Sequence, residues 1–316
     1  MPRVAVVGSF NVDHVWRVPT LPQPGATLSG DYASGPGGKG FNQAMAARRA
    51  GAETRFVCAL GDDAGAQLAR SLCAADGIAL AAQPSELPTG TAGIYVDAAG
   101  RNCIVVGAGA NAALDAGFAA ARVADGGHPA VVLAQLESPV EAIAMAMQAG
   151  RDAGATVILN PAPANAAVPG ATLELAHILT PNETEFAALL GRHVGERIEP
   201  EALSQLDQQR LHAHCRALGH DSTVIVTLGG SGCFVSHPEG QLRGDTVACY
   251  RVPIEPTQVV DTTGAGDAFN GALAASLAQA PDAAFIKHVR FANQYAAHST
   301  ESEGAAVSMP RMTPEA

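Results

Sequence analysis

The sequence predicts an α/β fold: a central, mostly parallel sheet flanked by helices, with a small β-sheet lid. Three observations predict it. Short apolar runs at 4–7, 55–59, 130–134, 156–159, 177–179 and 223–226 alternate with helix-length segments such as 42–50, 140–153 and 183–190. That rhythm builds βαβ units and a sheet covered on both faces. Polar residues gather just after the runs, at the strand ends where open α/β sheets bind ligands. Two stretches, about 12–36 and 90–107, break the rhythm with strand-like pieces rich in turn residues.

In order, the first run leads to Asn11 and Asp13. Gly35-Pro36-Gly37-Gly38-Lys39-Gly40 follows, formally G-x-G-x-x-G. No apolar strand leads into it and no acid lies about 20 residues beyond, so the dinucleotide context is missing. It is not a Walker A loop either, because Gly40 follows Lys39. Glycines here bring backbone close to a ligand, Lys39 supplies a cation, and Lys39 with Asn42 suits a polyol. A glycine-rich surface loop with a solvated Lys is the plainer reading. Residues 90–107 read as a hairpin around Asp97-Ala98-Ala99-Gly100. With 12–36 it makes a small sheet serving as a lid or dimer surface; a homodimer through the lid is expected.

The later runs lead to Gln135 and Glu137, to Asn160, and to Thr180, Asn182, Glu183 and Glu185. The last leads to Thr227-Leu228-Gly229-Gly230-Ser231-Gly232, a turn able to wrap an adenine or phosphate. Asn182 with Glu185 suits Mg²⁺ held through waters; first-turn helix charge is the alternative for the acids. Glu137 is either a sugar contact or a solvated acid. Residues 193–209 are polar and read as a surface excursion.

At 316 residues the chain is read as one α/β domain. Its net charge of -11 argues against nucleic-acid and membrane-surface partners, and obliges any site for an anionic ligand to compensate with local positive groups, backbone amides or metal. Six cysteines without a Cys-x-x-Cys pair suggest reduced, buried thiols in a cytoplasmic protein. No signal peptide is expected, no apolar run is long enough to span a bilayer, and the ten His show no metal spacing.

The most informative segment is Asp261-Thr262-Thr263-Gly264-Ala265-Gly266-Asp267-Ala268-Phe269. Gly264 and Gly266 permit a tight turn. Phe269, Leu273 and Leu277 continue with helical spacing. The turn opens a helix whose free N–H groups form an anion cradle, with Asp267 beside it able to take a proton from a hydroxyl. By itself the segment is equally a capped helix with an acid in its first turn.

These elements occur together, in order, over nearly the whole chain. Gly8-Ser9-Phe10-Asn11-Val12-Asp13-His14, Gly37-Gly38-Lys39-Gly40-Phe41-Asn42-Gln43-Ala44, Gly107-Ala108-Gly109-Ala110-Asn111, Gln135-Leu136-Glu137-Ser138-Pro139, Asn160-Pro161-Ala162-Pro163-Ala164, Thr180-Pro181-Asn182-Glu183-Thr184-Glu185 and the Gly-Ala-Gly-Asp segment resemble the PfkB family of carbohydrate kinases. The Asn-Pro-Ala-Pro-Ala and Gln-Leu-Glu-Ser-Pro stretches are similar to its ribose-phosphorylating branch. The resemblance implies transfer from ATP to the 5-hydroxyl of ribose. It implies Asp267 as base, with Gly264, Ala265 and Gly266 giving anion-hole amides. By the same resemblance Asn11, Asp13, Gly38, Lys39, Asn42 and Glu137 would hold the sugar, and Asn182, Thr227, Leu228, Gly229, Gly230, Ser231, Gly232, Gly266 and Asn293 would line the nucleotide site. Asn182 and Glu185 fit the family's Mg²⁺ element. A monovalent cation, K⁺, maps onto Asp261, Thr263, Ser299, Ser302, Gly304 and Ser308, in a tail more acidic than the family's basic pattern.

Two other classes compete. A non-catalytic sugar sensor would have lost Asp267 or the glycine pair, and both are intact. A Rossmann oxidoreductase lacks its fingerprint. Within the kinases, nucleoside, deoxyribose, fructose and ketodeoxygluconate acceptors share the Gly-Ala-Gly-Asp element, so that element does not choose among them.

Overall fold

The computed structural model describes residues 4–125 and 127–314. Thirteen strands among them form two sheets. The large sheet contains β1 (Val4–Val7), β4 (Thr54–Leu60), β5 (Ala79–Pro84), β8 (Val131–Ala134), β9 (Thr156–Leu159), β10 (Ile178–Leu179), β11 (Thr223–Thr227), β12 (Cys233–Ser236) and β13 (Cys249–Val252). Its order is β13-β12-β11-β10-β9-β8-β1-β4-β5. Pairing is parallel except at the far edge, where β12 runs antiparallel to both neighbours. The small sheet, ordered β3-β2-β6-β7, contains β2 (Asn11–Val18), β3 (Asp31–Gly37), β6 (Gly90–Asp97) and β7 (Asn102–Gly107). Antiparallel pairs flank a parallel β2–β6 pair, so the lid is mixed.

Period-two side chains explain the layering. Val4 and Val6 enter one apolar cluster, Ala5 and Val7 the other. The first cluster packs α1 (Lys39–Arg49), α2 (Ala64–Asp76), α8 (Ala265–Gln279) and α9 (Phe285–Ser299) on one face. The second packs α3 (Ala116–Ala124), α4 (Val140–Asp152), α5 (Gly170–Leu173), α6 (Glu183–Leu189) and α7 (Gln208–Leu218) on the other. Alanine-rich α8 is buried along most of its length, because small side chains let it sit between α1, α9 and the sheet.

Two expectations need correction. The stretch 193–209 is irregular, but Leu203 on its short 3₁₀ helix is fully buried in the second cluster. It is therefore a tethered excursion, anchored by Leu203 with Val194, Ile198 and Leu206 packed against the same cluster. Of the six free cysteines, four are buried; Cys103 lies exposed on the lid and Cys249 is half-buried, because both sit on short edge strands.

The chain leaves β1 toward β4 and β5 on one side, and toward β8, β9, β10 and β11 on the other. The order therefore reverses between β1 and β8, and a crevice opens at their carboxyl ends. The lid strand β2 begins three residues beyond β1 and hangs over that crevice.

Candidate active site

Ser9 follows β1 and Glu137 follows β8, and the two meet at the reversal. The Ser9 hydroxyl donates to Glu137 Oε2 at 2.5 Å, and the backbone N–H of Lys39 donates to the same oxygen at 3.0 Å. Glu137 thus sits at the positive end of α1, where an anion is favoured. Gly38 makes this approach possible. Its φ is 89°, and a Cβ there would meet the backbone N of Asn11 at 2.8 Å. Any other residue would push α1 away from the crevice floor.

Asn11 opens β2, and its Oδ1 accepts from Asn111 Nδ2 at 2.8 Å. Asn111 also brackets Phe10, accepting from its N–H and donating to its carbonyl, both at 3.0 Å. Asn111 was missed as a site residue; its only sequence signal is the Gly-Ala-Gly-Ala-Asn stretch. Asp13 lies two residues along the same strand as Asn11 and so presents the same face.

The first turn of α8 completes the crevice. Gly264 is its N-cap with φ 77°, and a Cβ there would meet Ala305 at 2.8 Å. The N–H groups of Gly264 and Gly266 have no partner among the described residues, whereas that of Ala265 donates to the carbonyl of Thr262 at 3.2 Å. The Ala265 amide closes the turn through that bond. Asp267 is 6% exposed. Its Oδ2 accepts from Asn42 Nδ2 and its Oδ1 from Gln43 Nε2, each at 2.9 Å. Asn42 Oδ1 is buried with no partner.

Charges around this point are unbalanced. Asp13, Glu137, Glu185 and Asp267 surround one cation, Lys39. Burial lowers the Lys39 ammonium pKa, but Asp267, Glu137 and Glu185 outweigh it and leave the pKa above its usual value. Burial raises Asp267, outweighing the opposite pull of Lys39, Asn42 and Gln43. Burial, then Glu137 and Asp267, bring Asp13 from 3.8 to about 7.

The expected nucleotide residues lie along the neighbouring strand ends. Asn182 bridges Thr227 in parallel register. Gly229–Ser231 forms a 3₁₀ turn closed by Leu228 N–H donating to Gly232 O at 2.8 Å. The side chain of Leu228 is buried in the second apolar cluster. Asn293 Nδ2 donates to Val252 O at 3.0 Å and borders a cavity of about 560 Å³ lined also by Lys287 and Arg290. A wider depression of about 800 Å³ at the outer end of the lid, near Arg17 and Asp97, is remote from these groups.

Asn182 and Glu185 form a reciprocal cap on α6: Glu185 N–H donates to Asn182 Oδ1, and Asn182 N–H to Glu185 Oε2, both at 2.9 Å. Burial raises the Glu185 carboxyl. Of the expected cation residues, Asp261 contacts Thr263 and Gly304, whereas the Ser299 and Ser308 hydroxyls donate to the carbonyls of Ala296 and Ala305. Asp261 Oδ1 accepts from Thr263 and its Oδ2 from Gly304 N–H at 3.0 Å, while the N–H groups of Val260 and Asp261 reach the carbonyl of Thr300. The tail's acids face elsewhere: Glu301 accepts from Thr257 and pairs with His298, and Glu303 lies 4.0 Å from Arg17. No group of three or more His, Cys, Asp or Glu among the described residues is arranged to hold a metal.

A buried carboxylate beside unpartnered amides at a helix start, under a polar crevice, can deprotonate an alcohol while holding an anionic group in line with it. Fold and site define a phosphotransferase acting on a hydroxyl. Comparison with known proteins gives the family. The model of the pfkB family of carbohydrate kinases matches residues 1–312, and the chain belongs to that family. It is 36% identical over 313 residues to a ribokinase of Haemophilus influenzae, covering 97% of this chain and 95% of that one. It superposes on the structure of ribokinase from Giardia lamblia with a TM-score of 0.84, at 27% identity over 98% of this chain and 96% of that one. The Arabidopsis thaliana ribokinase complexed with ribose and ATP gives a TM-score of 0.81, at 30% identity over 98% and 96%. The chain is thus similar throughout to ATP-dependent sugar kinases.

Proposed function

We propose that this chain transfers the γ-phosphoryl group of ATP to the 5-hydroxyl of D-ribose, giving ribose 5-phosphate and ADP. One observation carries it. Asp13, Lys39, Asn42 and Glu137 stand around Asp267, with Asn11 on the same face of its strand as Asp13, in a crevice of hydroxyl-matching groups. Polar groups in a water-poor crevice cost free energy while unpaired, and a polyol's hydroxyls are matched to pair with them. The resemblance to ribokinases over nearly the whole chain supports the same reading.

In this mechanism Asp267 accepts the proton of the 5-hydroxyl as its oxygen attacks the γ-phosphorus. The bond from that phosphorus to the β–γ bridging oxygen breaks, and ADP leaves. The Gly264 and Gly266 amides and the N-terminus of α8 hold the negative charge of the transferring group. Lys39 opposes the effect of burial on Asp267 and favours its carboxylate form. Thr227, Gly229, Gly230, Ser231, Gly232 and Asn293 lie along the nucleotide, and Lys287 and Arg290 offset the chain's acidity near it.

Hard oxygen donors fit two cations. Asn182 and Glu185 would hold Mg²⁺ through water, where it neutralises phosphate charge. Hydroxyl, carboxylate and main-chain oxygens around Asp261, Thr263, Ser299, Ser302, Gly304 and Ser308 suit K⁺, which adds positive field beside the α8 turn. Turnover is expected to rise with K⁺. Equal rates in K⁺ and in a large organic cation, at matched ionic strength, would remove K⁺ from the scheme.

Acceptor preference tests the proposal. Each sugar hydroxyl met by a desolvated group accounts for roughly 1–3 kcal/mol when its loss leaves that group unpaired. Deoxyribose is expected to show kcat/KM about ten-fold or more below ribose. Fructose, ketodeoxygluconate and adenosine should be poorer still. An adenosine or fructose value above ribose, at saturating MgATP, would overturn the substrate while leaving the kinase chemistry.

The lid presents a second copy with an apolar edge. Ile104, Val105 and Val106 on β7 are 52%, 65% and 53% exposed. An open edge strand with exposed β-branched residues is a ready pairing surface. We assign it to a homodimer. Val105→Lys is expected to shift sedimentation from dimer toward monomer; a wild-type chain that sediments as monomer at micromolar concentration overturns the assignment. Six unpaired thiols and dependence on ATP fit the cytoplasm. No helix among the described residues is long and apolar enough to cross a membrane.

A further inference from the structure

We infer that Gln43, Gln135 and Asn160 are positioning residues: a buried chain of side-chain amides that fixes the Asp267 carboxylate in one orientation and ties it to the first turn of its own helix. The inference rests on the reading of Asp267 as the base.

The hydrogen-bond directions follow from the chain's two ends. Asp267 Oδ1 can only accept, so the Gln43 atom facing it at 2.9 Å is the amide nitrogen. The second hydrogen of that nitrogen goes to Asn160 Oδ1 at 3.1 Å. Gln43 Oε1 is thereby left to accept from Gln135 Nε2, at 2.5 Å. Asn160 Nδ2 donates to the carbonyl of Thr180 at 2.9 Å. The Thr180 hydroxyl donates to Asn270 Oδ1 at 2.5 Å, and Asn270 Nδ2 donates to the carbonyl of Gly266 at 2.8 Å. The chain starts on a carboxylate and closes on a backbone carbonyl one residue before it. Both ends accept only, so no member can flip alone. A reversed Gln43 amide would set its oxygen against both Asp267 and Asn160 Oδ1.

Gln43 and Gln135 are fully buried, and Asn160, Thr180 and Asn270 nearly so. Gln135, Asn160 and Thr180 stand at the ends of three neighbouring parallel strands, β8, β9 and β10. The sheet edge thus delivers polar groups to the base from beneath, while Asn42 holds the other carboxylate oxygen. A carboxylate held at both oxygens keeps its remaining lone pairs aimed into the crevice, the geometry that proton transfer in a near-attack complex needs. Donors on both oxygens also favour the anion against burial. The charged groups that face Asp267 are Lys39 from α1, Glu137 beyond β8, Asp13 of β2 and Glu185 of α6.

The test is the pH profile of kcat and kcat/KM for ribose with MgATP, on the full chain and four variants, Asp267→Asn among them. Gln43→Met keeps the volume and removes both donors. It is expected to lower kcat by about 10–100-fold, to leave the ribose KM within about three-fold, and to move the acid limb up by about one pH unit. Gln43→Glu keeps shape and polarity but sets a second carboxyl against Asp267, so one proton is shared. It is expected to be less active than Gln43→Met at neutral pH, whereas a merely structural Gln43 would be rescued by Glu. Gln135→Met touches Asp267 only through Gln43; it is expected to lower kcat by about ten-fold at unchanged KM. An unmoved acid limb in Gln43→Met, or a Gln43→Glu enzyme at wild-type turnover, overturns the inference. If neither Gln43 variant folds, wild-type kcat in Gln135→Met overturns it. An inactive Asp267→Asn beside a normal Gln43→Met sinks the relay alone. An active Asp267→Asn sinks the base.

Discussion

Asp267→Asn is expected to lower kcat by at least ~10²–10⁴, the range general acid–base catalysis supplies, while the ribose KM moves much less. The substitution keeps the side-chain shape and removes the atom that can take a proton. Sugar affinity survives because Asn11, Asp13, Asn42 and Glu137 also address the hydroxyls. The anion hole is untouched, since Gly264 and Gly266 contribute backbone. One strain is introduced: Asp267 accepts from both Asn42 and Gln43, so the new amide nitrogen meets a donor on one side. Asp267→Ala, which has no such clash, should show a similar kcat loss. A folded Asp267→Asn protein with near-normal turnover of ribose would refute the role.

How much of this was legible in the sequence depends on how local each feature is. The apolar runs gave six strands and the main helices because burial on both faces of a parallel sheet leaves uninterrupted Val, Ile and Leu. The α8 turn was legible because Gly264, Gly266 and Asp267 stand next to one another. The lid was legible through its turn residues, with β2 and β3 found close to the expected 12–36. The edge strands β5, β12 and β13 were not singled out, because ALAAQP, CFVS and CYRV lack the uninterrupted Val, Ile and Leu of the buried runs. The amide relay was hidden for a different reason. Gln43 and Asp267 are 224 residues apart, and nothing in either neighbourhood names the other. Gln135, Asn160 and Thr180 stood out only as polar groups after strands. Their shared partner appears once β8, β9 and β10 lie side by side. The occupied amide of Ala265 and the buried side chain of Leu228 escaped notice because a motif gives residue types, not the direction in which each group points.

Asp13→Asn is expected to raise the ribose KM by at least about ten-fold while making the free protein more stable at pH 8. The two effects have one cause. Burial, then the charges of Glu137 and Asp267, raise the Asp13 carboxyl from 3.8 to about 7. A carboxyl with a raised folded-state pKa holds its proton more tightly in the folded protein. Its contribution to stability is whole below about pH 4 and is lost as pH rises through about 7. At pH 8 the folded free enzyme therefore carries an ionised acid in a poorly solvated place, at a cost on the order of 2–4 kcal/mol. Asparagine is neutral at every pH, so the variant escapes that cost. Melting temperatures should converge at pH 4 and diverge by several degrees at pH 8, with the variant higher. The acid is retained because a carboxylate accepts from a sugar hydroxyl at each of its two oxygens, whereas an amide replaces one of those acceptors by a donor. Ribose should accordingly stabilise the wild type far more than the variant. An Asp13→Asn protein that melts lower than wild type at pH 8, with unchanged ribose KM, would show that Asp13 serves the lid and not the sugar.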